Sequence, residues 1–279
     1  MSTPVETVFP GKVTLGGVLR SETIRFFSLN STRVLIIVAI LVNMLIAAGT
    51  FWAMGLFAEQ SAGMSGFPGM PDFTDPGFTA EMVGSGLGFS QLILGALGVL
   101  LISGEFTTGS AVSTFLASPQ RLRVLAAKTI LITVLTTMVT VGSLLLTYLI
   151  CKPIAAHYSM PLEFSGEPLQ RVLWFGALGV VMAALMGLAF GTILRNSAGG
   201  ITLLAAIFFV LPLATQLLML AVEWFRDIAK FLPDQVGLGP ALPITYATDL
   251  ELWQQLLGIA GWALIPLLIG AWMLKVRDI

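Results

Sequence analysis

Ionisable residues are missing from six long stretches of this chain, and none of the six contains Asp, Glu, Lys, Arg or His. The stretches cover residues 34–58, 82–104, 129–151, 172–194, 196–222 and 252–274. Each is long enough to cross a hydrocarbon core of about 30 Å as a helix that rises about 1.5 Å per residue. We therefore predict an all-α integral membrane protein with six transmembrane helices.

Charge and cysteine are also scarce in the chain as a whole. Only 10% of the 279 residues are charged, 56% are hydrophobic, and the mean hydropathy is +0.93. This composition leaves little for a separate soluble domain, so we expect residues 1–279 to form a single membrane domain. Cys151 and His157 are the sole residues of their types. An intramolecular disulfide and a Cys/His metal cluster within one chain are therefore excluded, and we expect both residues at the outer boundary without special chemistry.

The lack of ionisable residues in the spans also argues against several functions. A proton- or sodium-coupled carrier usually needs an intramembrane carboxylate, and a membrane-embedded hydrolase needs a Ser/His, paired-Asp or metal constellation. A phosphate-binding Gly-x-x-x-x-Gly-Lys-Ser/Thr loop is missing too, because Gly11 and Lys12 lead into Val13 without the required spacing. The chain is thus not expected to be an enzyme, and any active transport must draw its energy from another polypeptide.

The basic residues indicate how the chain is oriented. If the N-terminus is inside, ten of the 14 Lys and Arg residues fall on the cytoplasmic side. The other four are Lys152, Arg171, Arg226 and Lys230. Because Lys and Arg are enriched in cytoplasmic loops, we predict that both termini are cytoplasmic.

An amphipathic segment, residues 14–30, precedes the first span. At 100° per residue its apolar residues fill one broad face and Arg20 and Arg25 lie on the other, with Glu22 and Ile24 as exceptions to the pattern. This pattern predicts an interfacial helix whose arginines meet anionic lipid headgroups or a partner protein. A simple anchor on the membrane surface is an equally good explanation.

The loop between the second and third spans predicts a second short amphipathic helix. Val112, Phe115 and Leu116 share one helical face, and the Ser118-Pro119 pair ends the run. An apolar face on a cytoplasmic loop favours a protein partner. Glu105 precedes this helix at the C-terminal end of the second span, where the helix dipole disfavours a carboxylate. We expect it to pair with Arg20, Arg25 or an arginine of a partner, unless it is simply solvated at the membrane edge.

The segment 223–251, between the fifth and sixth spans, is broken repeatedly by proline and glycine. This pattern predicts short re-entrant helices, with lipid-interface anchoring by Trp224 and Phe225 as the alternative. In the fifth span, Pro212 predicts a kink.

Polar and small residues inside the spans form two stripes. Hydroxyl groups recur along the third span at Thr129, Thr133, Thr136, Thr140, Ser143 and Thr147, and small residues along the fourth at Gly176, Gly179, Ala183, Gly187 and Gly191. Close helix packing is favoured over the lining of a passage as their role. Three isolated polar residues are the best candidates for a substrate path: Asn43, Gln91 and Gln216.

A family resemblance is carried by the segment around the second loop. The run Gly98-Val-Leu-Leu-Ile-Ser-Gly-Glu-Phe-Thr-Thr-Gly-Ser110, with Leu116-Ala-Ser-Pro-Gln-Arg121 and Val124-Leu-Ala-Ala-Lys128 after it, resembles bacterial ATP-binding-cassette exporter permeases of the type-2 family. In that family a span ends in Gly-Glu-aromatic, and a Gly-containing turn, a short helix, Pro, basic residues and Ala-Lys follow. The Leu19–Glu22 segment, Leu-Arg-Ser-Glu, is similar too. One departure is the Thr107-Thr108 pair, where relatives often carry a basic residue.

The resemblance implies that the second loop holds a coupling helix, which docks into a separate ATPase subunit. The residues it assigns to this contact are Glu105, Gly109, Val112, Phe115, Leu116 and Arg121. It further implies an assembly of two permease subunits, as a homodimer or a heterodimer, with two ATPase subunits in the bacterial plasma membrane. ATP and Mg would bind to the ATPase subunits, and this chain would bind no cofactor. Besides these subunits, the chain would contact membrane lipids but no nucleic acid. The segment 223–251 would hold the outer gate.

The cargo expected from a charge-free cleft is hydrophobic or amphipathic, such as a lipid, a drug or an antimicrobial peptide, because ions and sugars would be poorly stabilised there. Two other functions stay open. The chain could be a non-transporting membrane tether or sensor that recruits a partner through the same cytoplasmic helices, or it could be a passive channel.

Overall fold

Six helical segments of the computed structural model are long and apolar enough to cross a membrane, which is consistent with a multi-pass membrane protein. The structure describes residues 14–60, 72–107, 121–222 and 224–276, and these residues form helices and no strand. The six segments are Asn30–Gln60, Pro76–Phe106, Leu122–His157, Glu167–Leu194, Ser197–Ala221 and Leu252–Val276. The prediction of an all-helical chain with six such helices is confirmed.

Eleven α-helices and one π-helical turn are described in these ranges. The helices are α1 (Leu15–Ser28), α2 (Asn30–Gln60), α3 (Pro76–Val83), α4 (Leu87–Thr107), α5 (Arg121–His157), α6 (Glu167–Leu194), α7 (Ser197–Ala205), α8 (Leu211–Ala221), α9 (Phe225–Ala229), α10 (Pro233–Leu238) and α11 (Leu252–Val276). The π-helical turn, Ala206–Val210, joins α7 to α8. We call the end of the bundle that carries α1 the proximal end, and the end that carries α9 and α10 the distal end.

Helix α6 lies at the centre of the packing. In its span, 83% of the apolar window is buried, against 11% in the span formed by α7, the π-helical turn and α8. Small residues explain how closely α6 approaches α4, since a Cβ atom added at Gly187 would overlap the carbonyl oxygen of Gly95. A Cβ added at Gly98 would likewise overlap the carbonyl oxygen of Ala184. This geometry supports the packing interpretation of the small-residue stripe in the fourth span.

The second span differs from the continuous helix predicted from residue 82 to residue 104. A turn at residues 84–86 separates α3 from α4. At this turn Gly86 lies against α2, and a Cβ atom there would be only 2.6 Å from the Cα atom of Asn43. The close approach of two backbones therefore requires glycine, and the turn lets the chain begin α4 beside α2.

The fifth span is irregular at the place where the sequence predicts a kink. The π-helical turn ends two residues before Pro212, which lies in the first turn of α8. Because proline has no backbone N–H, it cannot continue the regular hydrogen-bond ladder into the preceding turn.

Helices also occupy two of the segments outside the spans. Thr14 begins α1 by accepting a hydrogen bond at its Oγ1 atom from the N–H of Gly17 at 3.2 Å, and α9 and α10 lie between the fifth and sixth spans. The positions of α1 at an interface and of α9 and α10 as re-entrant elements stay predictions. The predicted coupling helix lies in 108–120, outside the described residues.

Candidate functional site

Four charged side chains meet at the proximal end of the bundle, and we call them the ionic cluster: Glu22, Arg25, Glu105 and Lys128. The Nζ atom of Lys128 lies 2.5 Å from Oε2 of Glu22 and 2.6 Å from Oε1 of Glu105. It also donates to the carbonyl oxygen of Leu101 at 3.2 Å. These three acceptors match the three N–H donors of an ammonium group, although Lys128 is 0% exposed.

Arg25 completes the cluster from its solvent-facing side. Its guanidinium Nη1 lies 2.7 Å from Oε1 of Glu105, and its side chain is 40% exposed. The side chains of Glu22 and Glu105 are only 5% and 2% exposed. Two acids and two bases give the cluster no net formal charge, which reduces the cost of removing these groups from water.

Helical spacing explains why α1 supplies two members of the cluster. Val18, Glu22 and Phe26 recur at intervals of four residues and form the buried face of α1. Glu22, an exception to the amphipathic pattern, therefore lies on the packed face and not on a lipid-facing or partner-facing one. Arg25, three residues further on, is adjacent to it on the helix surface. Arg20 is exposed and is not part of the cluster.

Of the predicted coupling residues, only Glu105 has a described side chain. Glu105 pairs with Arg25, one of the cations proposed for it from the sequence, and with Lys128, which was not proposed as its partner. Four predicted contact residues lie outside the described residues: Gly109, Val112, Phe115 and Leu116. Arg121 begins α5, but its side chain also lies outside the described part of the chain.

A sequence signal for the Glu105–Lys128 pair does exist. Glu105 follows the last uncharged residue of the second span, and Lys128 precedes the first uncharged residue of the third. Because the two spans run in opposite directions, these positions reach the same level of the bundle. Opposite charges at one level on consecutive helices are candidates for an ion pair.

A cavity of about 300 Å³ adjoins the ionic cluster. Glu22, Glu105 and Lys128 line it together with Phe26 and Leu97, among others. The Oε2 atom of Glu105 is buried and has no hydrogen-bond partner among the described residues.

A second cavity, of about 450 Å³, lies toward the distal end, and we call it the distal cavity. Its wall comes from α2, α3, α4, the π-helical turn, α8, α10 and the loop after α10. The polar part of the wall includes Glu81, Gln91, Gln216 and Asp234, and aromatic rings make up much of the rest.

Glu81 joins α3 to the loop after α10 through hydrogen bonds. Its Oε1 atom accepts a hydrogen bond from the N–H of Ile244 at 2.5 Å, and its Oε2 atom accepts from the N–H and the hydroxyl of Thr245 at 2.9 and 2.7 Å. The residue is 6% exposed. Three donors from one short segment satisfy a buried carboxylate and hold the loop against the bundle.

Asp234, in the first turn of α10, is 7% exposed and less well satisfied. Its Oδ2 atom accepts from Nε2 of Gln235 at 2.9 Å, while its Oδ1 atom has no hydrogen-bond partner among the described residues. Burial raises the pKa of the Asp234 carboxyl group, although hydrogen bonds from Gln235 oppose the change. The pKa of Tyr246 is raised by burial and, to a lesser extent, by the charge of Asp234.

The three candidate path residues are not brought together. Gln91 and Gln216 both line the distal cavity, and Gln91 donates to the carbonyl oxygen of Gly179 at 3.2 Å. Asn43 is not among the residues that line it. Asn43 is buried between α2 and α5, where its Nδ2 atom donates to the hydroxyl of Thr147 at 2.9 Å. Its amide thus joins two helices, and Thr147 is the member of the hydroxyl stripe that it meets.

The expectation of an interior without ionisable groups needs correction. Five such residues are buried within or beside the bundle: Glu22, Glu81, Glu105, Lys128 and Asp234. The uncharged windows contain no charge, but the helices are longer than the windows and the packing continues beyond them. Cys151 is fully buried within the protein, and its position at the outer boundary stays a prediction.

Among the described residues, no group of three or more His, Cys, Asp or Glu is placed to hold a metal ion. Neither a family model nor a curated protein matches this chain.

Proposed function

We propose that this chain is the membrane-spanning subunit of an ATP-driven exporter and that a separate ATPase subunit supplies the energy. The observation that supports the proposal best is the ionic cluster. Segment 108–120, the proposed coupling helix, is flanked by α4 and α5. Glu105 near the end of α4 and Lys128 near the start of α5 are joined to each other and to Glu22 of α1.

The cluster gives the flanks of this segment the stiffness that coupling needs. A force on residues 108–120 would act on α4 and α5, and the ion pairs would make these helices move with α1 as one unit. Separating a buried ion pair leaves an uncompensated charge, which costs about 3–5 kcal/mol. Helices joined in this way would transmit a displacement of one helix to the others.

The proposed docking contact lies on the segment itself. Val112, Phe115 and Leu116 would insert into the ATPase subunit as apolar anchors, with Gly109 in the turn and Arg121 on the rim. ATP and Mg would be bound by the two ATPase subunits. Their closure on ATP would switch the permease between inward-open and outward-open states.

A second permease copy would complete the passage. Six helices of one chain form half of a central cleft, and the span Ser197–Ala221 is only 11% buried within the chain. A twofold homodimer is the simplest way to cover such a surface, and a heterodimer would do so too. In this proposal both termini are cytoplasmic, the membrane is the bacterial plasma membrane, and the cargo is hydrophobic or amphipathic.

The experiment that tests the proposal is co-expression and co-purification of this chain with candidate ATP-binding-cassette ATPase subunits, with ATP hydrolysis then measured in lipid vesicles. We expect a stable complex whose hydrolysis is stimulated by an amphipathic compound. Failure to recruit an ATPase would contradict the proposal. A stable complex without compound-stimulated hydrolysis or transport would indicate a tether or sensor, and nucleotide-independent flux would indicate a channel.

Two variants separate docking from transmission in that assay. Phe115→Asp is expected to weaken the complex, because a carboxylate would be buried at the contact. Glu105→Gln is expected to leave the complex intact but to lower stimulated hydrolysis. The matched control is Glu163→Gln, which changes an exposed glutamate at the distal end. Unchanged coupling in Glu105→Gln would remove the cluster from the mechanism.

A further inference from the structure

The distal cavity contains acidic side chains and no basic one. Glu81 and Asp234 both line it, and its wall includes no Lys, Arg or His among the described residues. Neither acid takes part in an ion pair between described residues. An ionised Asp234 or Glu81 would therefore attract a cation that enters the cavity.

The two acids differ in how far their carboxylate oxygens are already engaged in hydrogen bonds and so in their capacity to bind a ligand. Glu81 accepts three hydrogen bonds from Ile244 and Thr245, so both of its oxygens are engaged. Asp234 accepts one side-chain hydrogen bond, at Oδ2 from Gln235, and the backbone N–H groups of Asp234 and Gln235 also favour its ionised form. Its buried Oδ1 atom has no hydrogen-bond partner among the described residues. A buried carboxylate oxygen without a partner is costly, unless a ligand supplies the missing charge or donor.

The remainder of the wall suits an apolar body. Phe78, Phe89, Phe208 and Phe209 line the cavity together with Tyr246 and several aliphatic side chains. Aromatic faces attract organic cations through their quadrupoles, and apolar walls stabilise the hydrocarbon part of such a molecule. A volume of about 450 Å³ falls within the range of small-molecule sites.

We propose that the distal cavity binds an organic cation with an apolar body, such as a lipophilic ammonium or phosphonium ion, with Asp234 as its counter-ion. Binding is a property of this chain alone, so it can be tested whether or not an ATPase drives transport. If the exporter proposal is correct as well, the cavity defines its substrate class more narrowly than the charge-free cleft did.

Binding should depend on pH in a defined direction. Burial raises the pKa of Asp234. In the empty cavity its carboxyl group therefore stays neutral up to a higher pH than that of an exposed aspartate. A bound cation favours the ionised carboxylate, and its affinity must therefore fall as the pH is lowered through the pKa of Asp234. Glu81 and Tyr246 are the other titratable groups of the cavity wall. The charged or titratable described residues at the distal end that do not line it are Glu59, Asp72, Asp75, Lys152, His157, Glu163, Glu167, Arg171, Arg226, Asp227, Lys230, Asp249 and Glu251.

The test uses the purified full-length chain in nanodiscs, without an ATPase. Equilibrium dialysis would measure binding of tetraphenylphosphonium and, as a probe of matching shape and opposite charge, tetraphenylborate. We expect saturable phosphonium binding that weakens at least tenfold in Asp234→Asn and is unchanged in Asp249→Asn, which alters an exposed aspartate. Tetraphenylborate binding should not weaken in Asp234→Asn.

Three results would overturn the proposal: no saturable phosphonium binding to the unchanged chain, equal affinity in Asp234→Asn, or equal preference for the borate and the phosphonium. The last would mean that the cavity is only an apolar surface. If Asp234→Asn did not fold, the pH dependence of the unchanged chain would decide. Phosphonium affinity must then fall on acidification while borate affinity does not, and a pH-independent phosphonium affinity would refute the role of Asp234.

Discussion

Replacing Lys128 by methionine tests the energetic role of the ionic cluster most directly. Methionine has a similar length and no charge, so Lys128→Met would leave Glu22 without its cation and Glu105 with only Arg25. The matched comparison is Arg25→Met, which also removes one ion pair from Glu105. The two side chains differ in burial, since Lys128 is 1% and Arg25 40% exposed, and in the number of glutamates they pair with among the described residues, which is two for Lys128 and one for Arg25.

Burial sets the size of the expected effects. Removing one partner of a buried ion pair costs about 3–5 kcal/mol, because the other charge is left uncompensated away from water. A pair with an exposed partner contributes about 0–1 kcal/mol. Since whole proteins are stable by about 5–15 kcal/mol, Lys128→Met should lower Tm by on the order of 10 °C and Arg25→Met by a few degrees at most.

The chain carries a suitable reporter for this measurement. Cys151 is its sole cysteine and is fully buried, so a fluorogenic maleimide should react only as the bundle unfolds. Fluorescence against temperature in detergent then gives Tm for each variant. A Cys151→Ala chain, which should give no signal, serves as the blank.

The reasoning fails if Lys128→Met and Arg25→Met have the same Tm. A triple variant gives an independent check, because Glu22→Met, Glu105→Met and Lys128→Met together remove the buried charges as well as their attraction. Replacing a buried ionic group by apolar side chains is often neutral or stabilising by about 1–4 kcal/mol. We therefore expect the triple variant to recover most of the Tm that Lys128→Met loses.

Three further outcomes are expected from the same thermal assay and from hydrogen exchange. Gly187→Ala should lower Tm, at a cost of about 1–3 kcal/mol, because its Cβ would overlap the carbonyl oxygen of Gly95; Gly142→Ala, with nothing within 4 Å of the added Cβ, should not. Glu81→Leu should increase hydrogen exchange in the loop after α10, since three hydrogen bonds to charged oxygens are lost, and exchange equal to that of the unchanged chain would contradict the role of Glu81 in holding this loop. Asp234→Asn should raise Tm at neutral pH. An aspartate whose folded-state pKa is raised binds its proton more tightly when folded, so its presence costs stability as the pH rises above the unfolded pKa and through the folded one. The advantage of the asparagine should accordingly shrink on acidification, and an advantage that is constant with pH would show that the carboxyl does not titrate as described.

The helices could be predicted from the sequence because their signal is local. A span needs a run of apolar residues of membrane length, and each window carries that signal by itself. The break between α3 and α4 was not predicted, because it depends on the contact of Gly86 with Asn43 on another helix. The small-residue stripe predicted that α6 packs closely against another helix. It did not predict that this helix is α4, with Gly95 opposite Gly187.

The candidate sites were predicted only in part. The helix dipole, a property of the end of one helix, predicted that Glu105 would pair with a cation, and Arg25 was one of the candidates given for it. Glu22 disagreed with the amphipathic pattern because its partner, Lys128, lies 106 residues away. Asp234 carried no signal in the sequence, since nothing near it along the chain shows that α10 packs against α4, α6, the π-helical turn and α11.

The sequence by itself determined the all-helical character and the number of membrane-length helices, because hydrophobicity and length are read residue by residue along one segment. The tertiary structure alone decided which charges are buried, which of them neutralise one another at the proximal end, and which acids line the distal cavity without an ion pair to another described residue. The physical reason is that desolvation depends on everything that surrounds a group. For Glu22, Lys128 and Asp234, those surroundings come from helices far apart in the chain.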